Sequence, residues 1–170
     1  MKLEENIKEI MIQSTYRRQK HLRLPCYDYS QYGCYFVTIC TKHRQLAFGE
    51  IIDSEMKLNV MGNIAEEILL NLTEDYPNSL ITDYVIMPNH LHFIWFNQDD
   101  ALLSNVVKKL KGNIAKRYHD IMKFPNQVYI PLWQRSFYEH IIRDDKDYER
   151  IAEYIQNNPL QWQLDRFYIP

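Results

Sequence analysis

Two strand patterns separated by a two-residue turn limit the folds that this chain can adopt. Residues 81–87 are predicted as one strand and residues 90–96 as the next, with residues 88–89 as the turn between them. Residues two apart on a strand face the same way, so His90 and His92 share one face while the apolar residues beside them face the opposite layer. We therefore expect a sheet, and one face of that sheet carries two imidazoles.

The remaining patterns predict a mixed α and β fold. In order, the predicted elements are a strand over 34–41, a helix that starts at Gly62-Asn63, the strand pair above, a helix over 102–119, a strand around 132–138, and a last helix that starts at Asp144 or Asp145 and is closed by Pro159. This βαββαβ order with an added helix predicts an α+β fold, namely a ferredoxin-like or RRM-like antiparallel sheet with helices on one face plus a C-terminal helix.

Two of the predicted helices have a defined apolar face. In the first helix Ile64, Ile68 and Leu72 share a face. The helix over 102–119 has apolar residues at helical spacing, so it is expected to bury that stripe and to turn its basic residues outward.

Length and composition predict one domain preceded by an arm. The chain has 170 residues, of which 46% are hydrophobic and 25% are charged, and it is long enough to bury a core. Residues 1–24 are expected to form an N-terminal arm with a basic segment, and residues 25–170 a single domain. No apolar run approaches the roughly 18–20 residues that cross a bilayer, and no signal-peptide pattern is present, so we expect a cytoplasmic protein without membrane contact.

Cysteine and glycine usage excludes several kinds of site. The three cysteines are odd in number and lack a CxxC spacing, which argues against a disulfide framework and against a zinc ribbon. They are expected to be free thiols. Only four glycines are present, and none forms a glycine-rich phosphate loop, so no nucleotide cofactor is expected.

The charge is unevenly distributed although the formal net charge is only −2. Two stretches hold several basic residues and no acid, namely residues 16–24, with Arg17, Arg18, Lys20 and Arg23, and residues 101–119, with Lys108, Lys109, Lys111, Lys116 and Arg117. Each stretch could be an ordinary solvated face. Two of them in one otherwise acidic chain favour an anionic partner.

The two histidines and two residues of the last helix form a candidate metal site. A His-x-His pair inside an apolar strand is more often structural than ligating, so the pair alone indicates little. Tyr154 and Asn158 lie four residues apart and share one helix face, so the Asn158 amide oxygen could be a third ligand beside the Tyr154 phenol. Because Pro159 disfavours the α conformation at the preceding residue, Asn158 is expected at the helix end.

This donor set predicts both an ion and a reaction. Two imidazoles and one amide oxygen suit Mg²⁺ or Mn²⁺, although ligand type does not exclude Zn²⁺. With a phosphodiester in the open positions, the Tyr154 oxygen could attack the phosphorus if a positive site favours its phenolate form. Thirteen tyrosines are present, so the position of Tyr154 relative to Asn158, and not its residue type, identifies it as a candidate nucleophile.

Four motifs resemble a known family. They are YDYSQYGCYFVTICT over 27–41, VIMPNHLHFI over 85–94, WQRSFYEHIIRD over 133–144 and YIQNNP over 154–159. The His-hydrophobic-His motif with a downstream helical tyrosine resembles the HUH superfamily of single-strand DNA nucleases. The four motifs in this order are most similar to the single-tyrosine transposases, and among these to the REP-associated tyrosine transposase group.

The resemblance implies a function for each candidate residue. Residues 25–170 would be a single HUH transposase-like catalytic domain that acts on single-stranded DNA. His90, His92 and Asn158 would hold the divalent ion, and Tyr154 would form a 5′-phosphotyrosine link and release a 3′-OH. One nucleophile, without a second tyrosine on the same helix face, fits strand transfer better than processive replication.

The resemblance also implies a hairpin substrate with a short unpaired tag. Arg17, Arg18, Lys20 and Arg23 would suit the tag, Lys108, Lys109 and Lys111 would suit the hairpin backbone, and Tyr27, Tyr29 or Tyr32 could stack on bases. The protein would associate with the nucleoid when it is bound to DNA. A monomer and a homodimer both remain open.

Two other function classes remain open from the residues alone. A non-catalytic ferredoxin-like nucleic-acid-binding protein would use the basic surfaces while the histidines are structural, so His90→Ala would leave binding intact. A zinc hydrolase of small phosphoesters would use a water nucleophile and would be indifferent to Tyr154→Phe. Neither alternative explains the spacing between Tyr154 and Asn158.

Overall fold

The structure, a computed structural model, describes residue 28 and residues 32–122 and 130–169. In chain order the elements are β1 (Gly33–Cys40), β2 (Gly49–Ile52), β3 (Glu55–Leu58), α1 (Val60–Leu70), α2 (Leu72–Asp75), β4 (Leu80–Met87), β5 (His90–Asn97), α3 (Leu103–Met122), β6 (Tyr138–Ile142) and α4 (Asp145–Asn157), with short 3-10 turns at Lys42–Arg44 and Trp162–Leu164. The main sheet has the strand order β4-β5-β1-β6, and every neighbouring pair is antiparallel. The predicted α+β class and ferredoxin-like sheet are confirmed.

The alternating pattern of β5 divides the molecule into two layers. Leu91 and Phe93 lie fully buried in the larger apolar cluster, where residues of α1 and α3 pack against them. His90 and His92 face the other side of the sheet, where Ile94 packs in a second cluster with residues of α4. Each large apolar side chain buried in this way stabilises the fold by roughly 1.5–3 kcal/mol relative to leaving it exposed. The predicted division of β5 between two faces is therefore confirmed.

Helix α1 starts two residues before the predicted Gly62-Asn63 start. The reason is Asn59, whose side chain accepts a hydrogen bond of 2.9 Å from the Gly62 backbone N–H and caps the helix. The buried residues of this region are Met61, Ala65, Leu69 and Leu72. Of the three apolar residues predicted to share a face, Leu72 is buried, whereas Ile64 and Ile68 are half-buried and pack at the edge of the core.

The last strand of the sheet is displaced from its predicted place at 132–138. Trp133 makes an isolated antiparallel bridge to Thr41, but the ladder with β1 begins only where Tyr138 pairs with Thr38. Between these two contacts β1 advances three residues, from 38 to 41, and the opposite segment advances five, from 133 to 138. The surplus residues cannot pair, so β6 occupies 138–142.

A hairpin formed by β2 and β3 is absent from the sequence-based prediction. Its strands are only four residues long, and the turn between them places Asp53 and Ser54 at φ angles of 51° and 64°. Two successive positive φ angles are typical of a type I′ turn, which usually contains glycine or asparagine. Because the turn is Asp-Ser and the strands are short, the sequence contains no pattern that predicts this hairpin.

Helix α4 begins as predicted and ends with one difference. Asp144 caps its start by accepting a hydrogen bond of 2.8 Å from the Asp147 backbone N–H, and the helix ends at Asn157. Asn158 lies at the helix end, as expected, but it keeps the α conformation at φ −58° and ψ −43°, contrary to the prediction made from Pro159. The chain continues in a further turn, because the Gln161 N–H donates to the carbonyls of Asn157 and Asn158.

Three further expectations concern the cysteine thiols, membrane-spanning helices and the N-terminal arm. Cys34 and Cys40 are free thiols, and burial is the largest cause that raises their pKa values to about 11 and about 12. Within the described residues, no helix is long and apolar enough to cross a membrane. The predicted arm over 1–24 and Cys26 lie outside the described residues.

Candidate active site

Strand β5 places both histidines in a buried layer of the molecule. His90 and His92 are 0% and 1% exposed, and their ring centroids lie 4.6 Å apart. Burial lowers the pKa of His90 to about 3, and it lowers the pKa of His92 well below its ordinary value, with the positive charge of Arg166 acting in the same direction on both. Both imidazoles are therefore neutral at neutral pH, which is the form that binds metal ions.

Each histidine is oriented through its Nδ1 atom. Thr38 Oγ1 on β1 lies 2.7 Å from His92 Nδ1, and Asn89 Oδ1 lies 2.9 Å from His90 Nδ1. These contacts leave the Nε2 atoms of both rings for the site between the sheet and α4. Partners of this kind fix the ring orientation of metal-binding histidines.

Tyr154 meets the histidines from α4, as the sequence predicts. Its hydroxyl oxygen lies 3.3 Å from His92 Nε2, and its ring packs edge-on against Phe36 at a centroid distance of 6.0 Å. Burial raises the pKa of the Tyr154 hydroxyl above its ordinary value, and the carboxylate of Asp165 adds to the rise. The resting phenol is therefore protonated, and its activation requires a positive group.

Asn158 joins the same site one helical turn further along. Its side chain is 3% exposed, and its amide favours the ionised forms of Tyr154 and Asp165, lowering both pKa values against the larger effect of burial. Among the described residues, Asn158 Oδ1 and His90 Nε2 have no hydrogen-bond partner although both atoms are buried. Two buried lone-pair atoms without a partner are costly unless an ion or water satisfies them, so these residues fit a divalent cation.

Asp165 is a fourth candidate ligand that the sequence did not indicate. Its Oδ2 lies 3.8 Å from His90 Nε2, and one ligand atom from each of His90, His92 and Asp165 falls within 4.8 Å of the others. The Phe167 backbone N–H donates a hydrogen bond of 2.6 Å to Asp165 Oδ1, which holds the carboxylate in place. Asp165 lies in an irregular segment after α4, where neither strand nor helix spacing relates it to the histidines.

The segment after α4 also supplies an aromatic cover and a cation. The Phe167 ring lies 4.5 Å from the His90 ring, centroid to centroid, and the Arg166 guanidinium lies 4.3 Å from the Phe167 ring centroid. Arg166 lowers the pKa values of both histidines through its charge, so it lies within electrostatic reach of the site. Neither Arg166 nor Phe167 lies in a sequence pattern that relates it to the histidines.

The lysines predicted to contact DNA differ in their surroundings. Lys108 is exposed on α3, Lys109 forms an ion pair of 2.6 Å with Asp75, and Lys111 is half-buried and donates a hydrogen bond of 2.7 Å to the Gln134 carbonyl. The expectation that all basic residues of α3 point outward is therefore wrong for Lys111. Its amine satisfies backbone carbonyls of the unpaired segment that precedes β6.

The other predicted DNA contacts are only partly within the described residues. Tyr32 is 70% exposed, so its ring is available at the surface. Six further candidates, Arg17, Arg18, Lys20, Arg23, Tyr27 and Tyr29, lie outside the described residues. Helix α3 packs on the side of the sheet opposite the histidines, so the sheet lies between this helix and the candidate site.

His140 holds the helix that carries Tyr154. Its Nε2 lies 2.7 Å from Asp147 Oδ2, and the same carboxylate accepts a hydrogen bond of 2.6 Å from Arg150. Asp147 precedes Tyr154 by seven residues and so lies on the same face of α4. The network thereby joins β6 to the face of α4 that carries Tyr154.

Comparison with known proteins identifies relatives over most of the chain. The family model described as "Transposase IS200 like" matches residues 30–158. An uncharacterized protein of Haemophilus influenzae (strain ATCC 51907 / DSM 11121 / KW20 / Rd) is 36% identical over 168 residues, which cover 89% of this chain and 93% of the relative. The REP-associated tyrosine transposase of Escherichia coli (strain K12) is 25% identical over 134 residues, which cover 78% of this chain and 70% of that protein.

A solved structure shares the fold. The structure of a REP-associated tyrosine transposase bound to a REP hairpin superposes with a TM-score of 0.60 at 23% sequence identity. The superposition covers 82% of this chain and 73% of that chain.

Proposed function

Because this chain belongs to the IS200-like transposase family, we propose that it cuts and rejoins one DNA strand at hairpin sites, with Tyr154 as the nucleophile beside a divalent metal ion. One observation carries the proposal. The Tyr154 hydroxyl oxygen lies 3.3 Å from His92 Nε2, next to a cluster of buried atoms that could bind a metal ion. The proposed nucleophile comes from α4 and the two histidines come from β5.

The proposed ligands are His90, His92 and Asn158, and Asp165 is added because of its position beside His90. The two neutral imidazoles and two oxygen donors form a mixed set that suits Mg²⁺ or Mn²⁺. Such an ion, when bound, supplies Lewis-acid stabilisation of charge at a phosphodiester oxygen. An ion would also satisfy His90 Nε2 and Asn158 Oδ1, two buried atoms of the site that have no hydrogen-bond partner among the described residues.

The covalent step balances without a cofactor. The Tyr154 oxygen forms a bond to phosphorus, the bond between phosphorus and the 3′ oxygen breaks, and the electron pair leaves with that oxygen. The phenol loses one proton and the departing 3′ oxygen gains one, so the products are a 5′-phosphotyrosine and a free 3′-OH. His92 is placed to orient the hydroxyl, and Arg166 favours its ionised form by lowering its pKa against the effect of burial.

The same chemistry accounts for rejoining. The phosphotyrosine keeps the energy of the phosphodiester, so a 3′-OH from another end can attack it and release Tyr154. No external energy source is needed. A single tyrosine on the helix face fits such a transfer, because position 150 is occupied by an arginine that binds Asp147 and position 158 by an asparagine.

The proposed substrate is a DNA hairpin with an unpaired flank. This part of the proposal is supported by the related transposase whose solved structure is bound to a REP hairpin. Arg17, Arg18, Lys20, Arg23 and Lys108 remain proposed DNA contacts. Lys109 and Lys111 are less favourable candidates, since each would have to leave a protein partner before it could bind a phosphate.

The test is a denaturing-gel assay for a covalent protein–DNA adduct. Wild type and Tyr154→Phe are incubated with Mn²⁺ and single-stranded hairpins that carry varied flanks. Tyr148→Phe is the matched control, because Tyr148 lies on the same helix and its hydroxyl donates a hydrogen bond to Asp83 away from the histidines. We expect an adduct with wild type and with the control, and none with Tyr154→Phe, whose hairpin affinity should stay nearly unchanged.

The other outcomes distinguish the alternatives. Cleavage retained by Tyr154→Phe would remove this tyrosine from the reaction and would favour a water nucleophile. Tight hairpin binding by wild type without any adduct would favour a non-catalytic nucleic-acid-binding protein.

A further inference from the structure

Asn89, the residue before the first histidine, connects three parts of the molecule through one buried amide. It is 1% exposed. Its Oδ1 lies 2.9 Å from His90 Nδ1, and its Nδ2 donates hydrogen bonds to the backbone carbonyls of Phe167 at 2.8 Å and of Arg44 at 3.3 Å. One side chain therefore contacts a candidate metal ligand, the turn after β1 and the segment after α4.

The two carbonyl contacts determine which way the amide points. Only the NH₂ group of Asn89 can donate to the carbonyls of Arg44 and Phe167, so its oxygen must face His90. An amide oxygen only accepts hydrogen bonds, so the His90 Nδ1 atom must carry the proton. In a neutral imidazole the lone pair is then at Nε2, the atom that lies beside Asp165.

The turn that Asn89 holds has an unfavourable backbone. His43 and Arg44 have φ angles of 56° and 57°, a conformation that residues with a side chain rarely adopt. Thr41 supports the same turn, because its hydroxyl lies within hydrogen-bond distance of the Gln45 carbonyl at 2.8 Å and of the Asn89 carbonyl at 2.9 Å. Such a turn persists only where surrounding contacts maintain it.

We propose that Asn89 is a positioning residue that fixes His90 as an Nε2 metal ligand and, through the same amide, holds the 42–44 turn and the Phe167 segment beside the metal site. The inference rests on the proposed function in taking His90 to be a ligand. It goes further in assigning a separate role to each end of one amide. Its oxygen fixes the proton on His90 Nδ1, and its NH₂ group holds the 42–44 turn and the Phe167 segment in place.

Three variants separate these roles. Asn89→Asp keeps an oxygen acceptor for the His90 Nδ1 proton, but it places a second oxygen where the carbonyls of Arg44 and Phe167 need a donor. Asn89→Ala removes both functions. Thr38→Val removes the corresponding partner of His92 without touching either segment.

Asn97→Ala is the matched control for loss of a buried asparagine. Asn97 lies at the far end of β5, is 0% exposed and donates a hydrogen bond to the Ala101 carbonyl. Seven residues of extended strand, roughly 23 Å, separate it from His90, and we expect Asn97→Ala to behave like wild type in each measurement below.

Three measurements, all made without DNA, report on the two ends of the amide. Calorimetry gives the Mn²⁺ affinity. Nitrogen-15 NMR of the metal-free protein gives the His90 tautomer. Trypsin digestion followed by mass spectrometry gives the cutting rate after Arg44, whose own carbonyl is held by Asn89.

The expected pattern differs for each variant. Asn89→Ala should lose 10- to 100-fold in Mn²⁺ affinity, the size typical of a lost hydrogen-bond partner of a ligand, and should be cut faster after Arg44. Asn89→Asp should keep the affinity and the Nδ1-protonated tautomer yet be cut faster. Thr38→Val should lose affinity and be cut at the wild-type rate.

The outcomes that overturn this proposal differ from those that overturn the proposed function. An Asn89→Ala protein with wild-type tautomer and affinity would overturn the ligand role of Asn89. An Asn89→Asp protein cut at the wild-type rate would overturn its role in holding the segments. If the variants show the whole expected pattern but wild type forms no Tyr154 adduct, the role of Asn89 is supported and the strand-transfer reaction is rejected.

Discussion

The two faces of the sheet are built from alternating residues of β5, yet their packing serves different ends. On one face Leu91 and Phe93 fill volume between the sheet and two helices. On the other face His90 and His92 each need a particular partner at one ring atom, and His90 leaves its second nitrogen buried without a hydrogen-bond partner among the described residues. The first kind of burial stabilises the fold, whereas the second sets the direction and protonation of reactive atoms at a cost in stability.

The largest expected effect on stability comes from the apolar face. Phe93→Ala should lower the free energy of unfolding by about 3–5 kcal/mol, because it leaves a cavity in the larger core. Chemical denaturation would measure this loss, and the adduct yield per folded molecule should stay close to that of wild type.

Ile94→Ala is the matched comparison on the face that carries the histidines. Ile94 is also 0% exposed and adjacent in sequence, but it packs with residues of α4. This variant should lower both the stability and the adduct yield, because α4 carries Tyr154. An equal loss of adduct in Phe93→Ala and Ile94→Ala would contradict the assignment of stability to one face and of the reaction to the other.

A smaller effect on stability is expected from the face that carries the histidines. Asn158→Leu replaces a buried amide, whose oxygen has no hydrogen-bond partner among the described residues, by an apolar side chain of similar size. Removing the unsatisfied oxygen should offset the loss of the amide's hydrogen bonds to Tyr154 and Asp165, so stability should change by about 1 kcal/mol or less. Thermal unfolding in the absence of metal would measure this change.

The same variant should lose the response to metal. Mn²⁺ at 100 times its dissociation constant should stabilise wild type by about 2.7 kcal/mol, because the ion binds only the folded protein. Asn158→Leu should show much less of this gain at the same Mn²⁺ concentration. A large loss of metal-free stability, together with an undiminished gain from Mn²⁺, would show that Asn158 is a structural residue and not a ligand.

The sequence predicted those parts of the site that regular spacing relates. The period of a strand put His90 and His92 on one face, and the period of a helix put Tyr154 and Asn158 together, so all four meet in the structure. Asp165 could not be predicted in this way, because it lies in an irregular segment whose path depends on contacts with β5 and with the turn after β1.

The errors in the fold have a similar origin. The position of β6 depends on where surplus residues leave the ladder, and the surroundings of Lys111 depend on that same unpaired segment. Both are set by contacts between residues distant in the chain. Local patterns therefore predicted that a strand and a basic helix exist, but not the register of the strand or the orientation of this lysine.

The smallest expected effect concerns the helix layer. If Lys108 contacts a phosphate, Lys108→Ala should reduce the slope of log affinity against log salt by about 0.9, since each phosphate contact releases condensed counterions. Lys109→Ala is the comparison, because its amine forms an ion pair with Asp75 and should contribute less. Fluorescence anisotropy of a labelled hairpin at several salt concentrations would measure both slopes. An unchanged slope for Lys108→Ala would remove Lys108 from the DNA surface, while the expected decrease would place a phosphate contact on α3, across the sheet from the histidines.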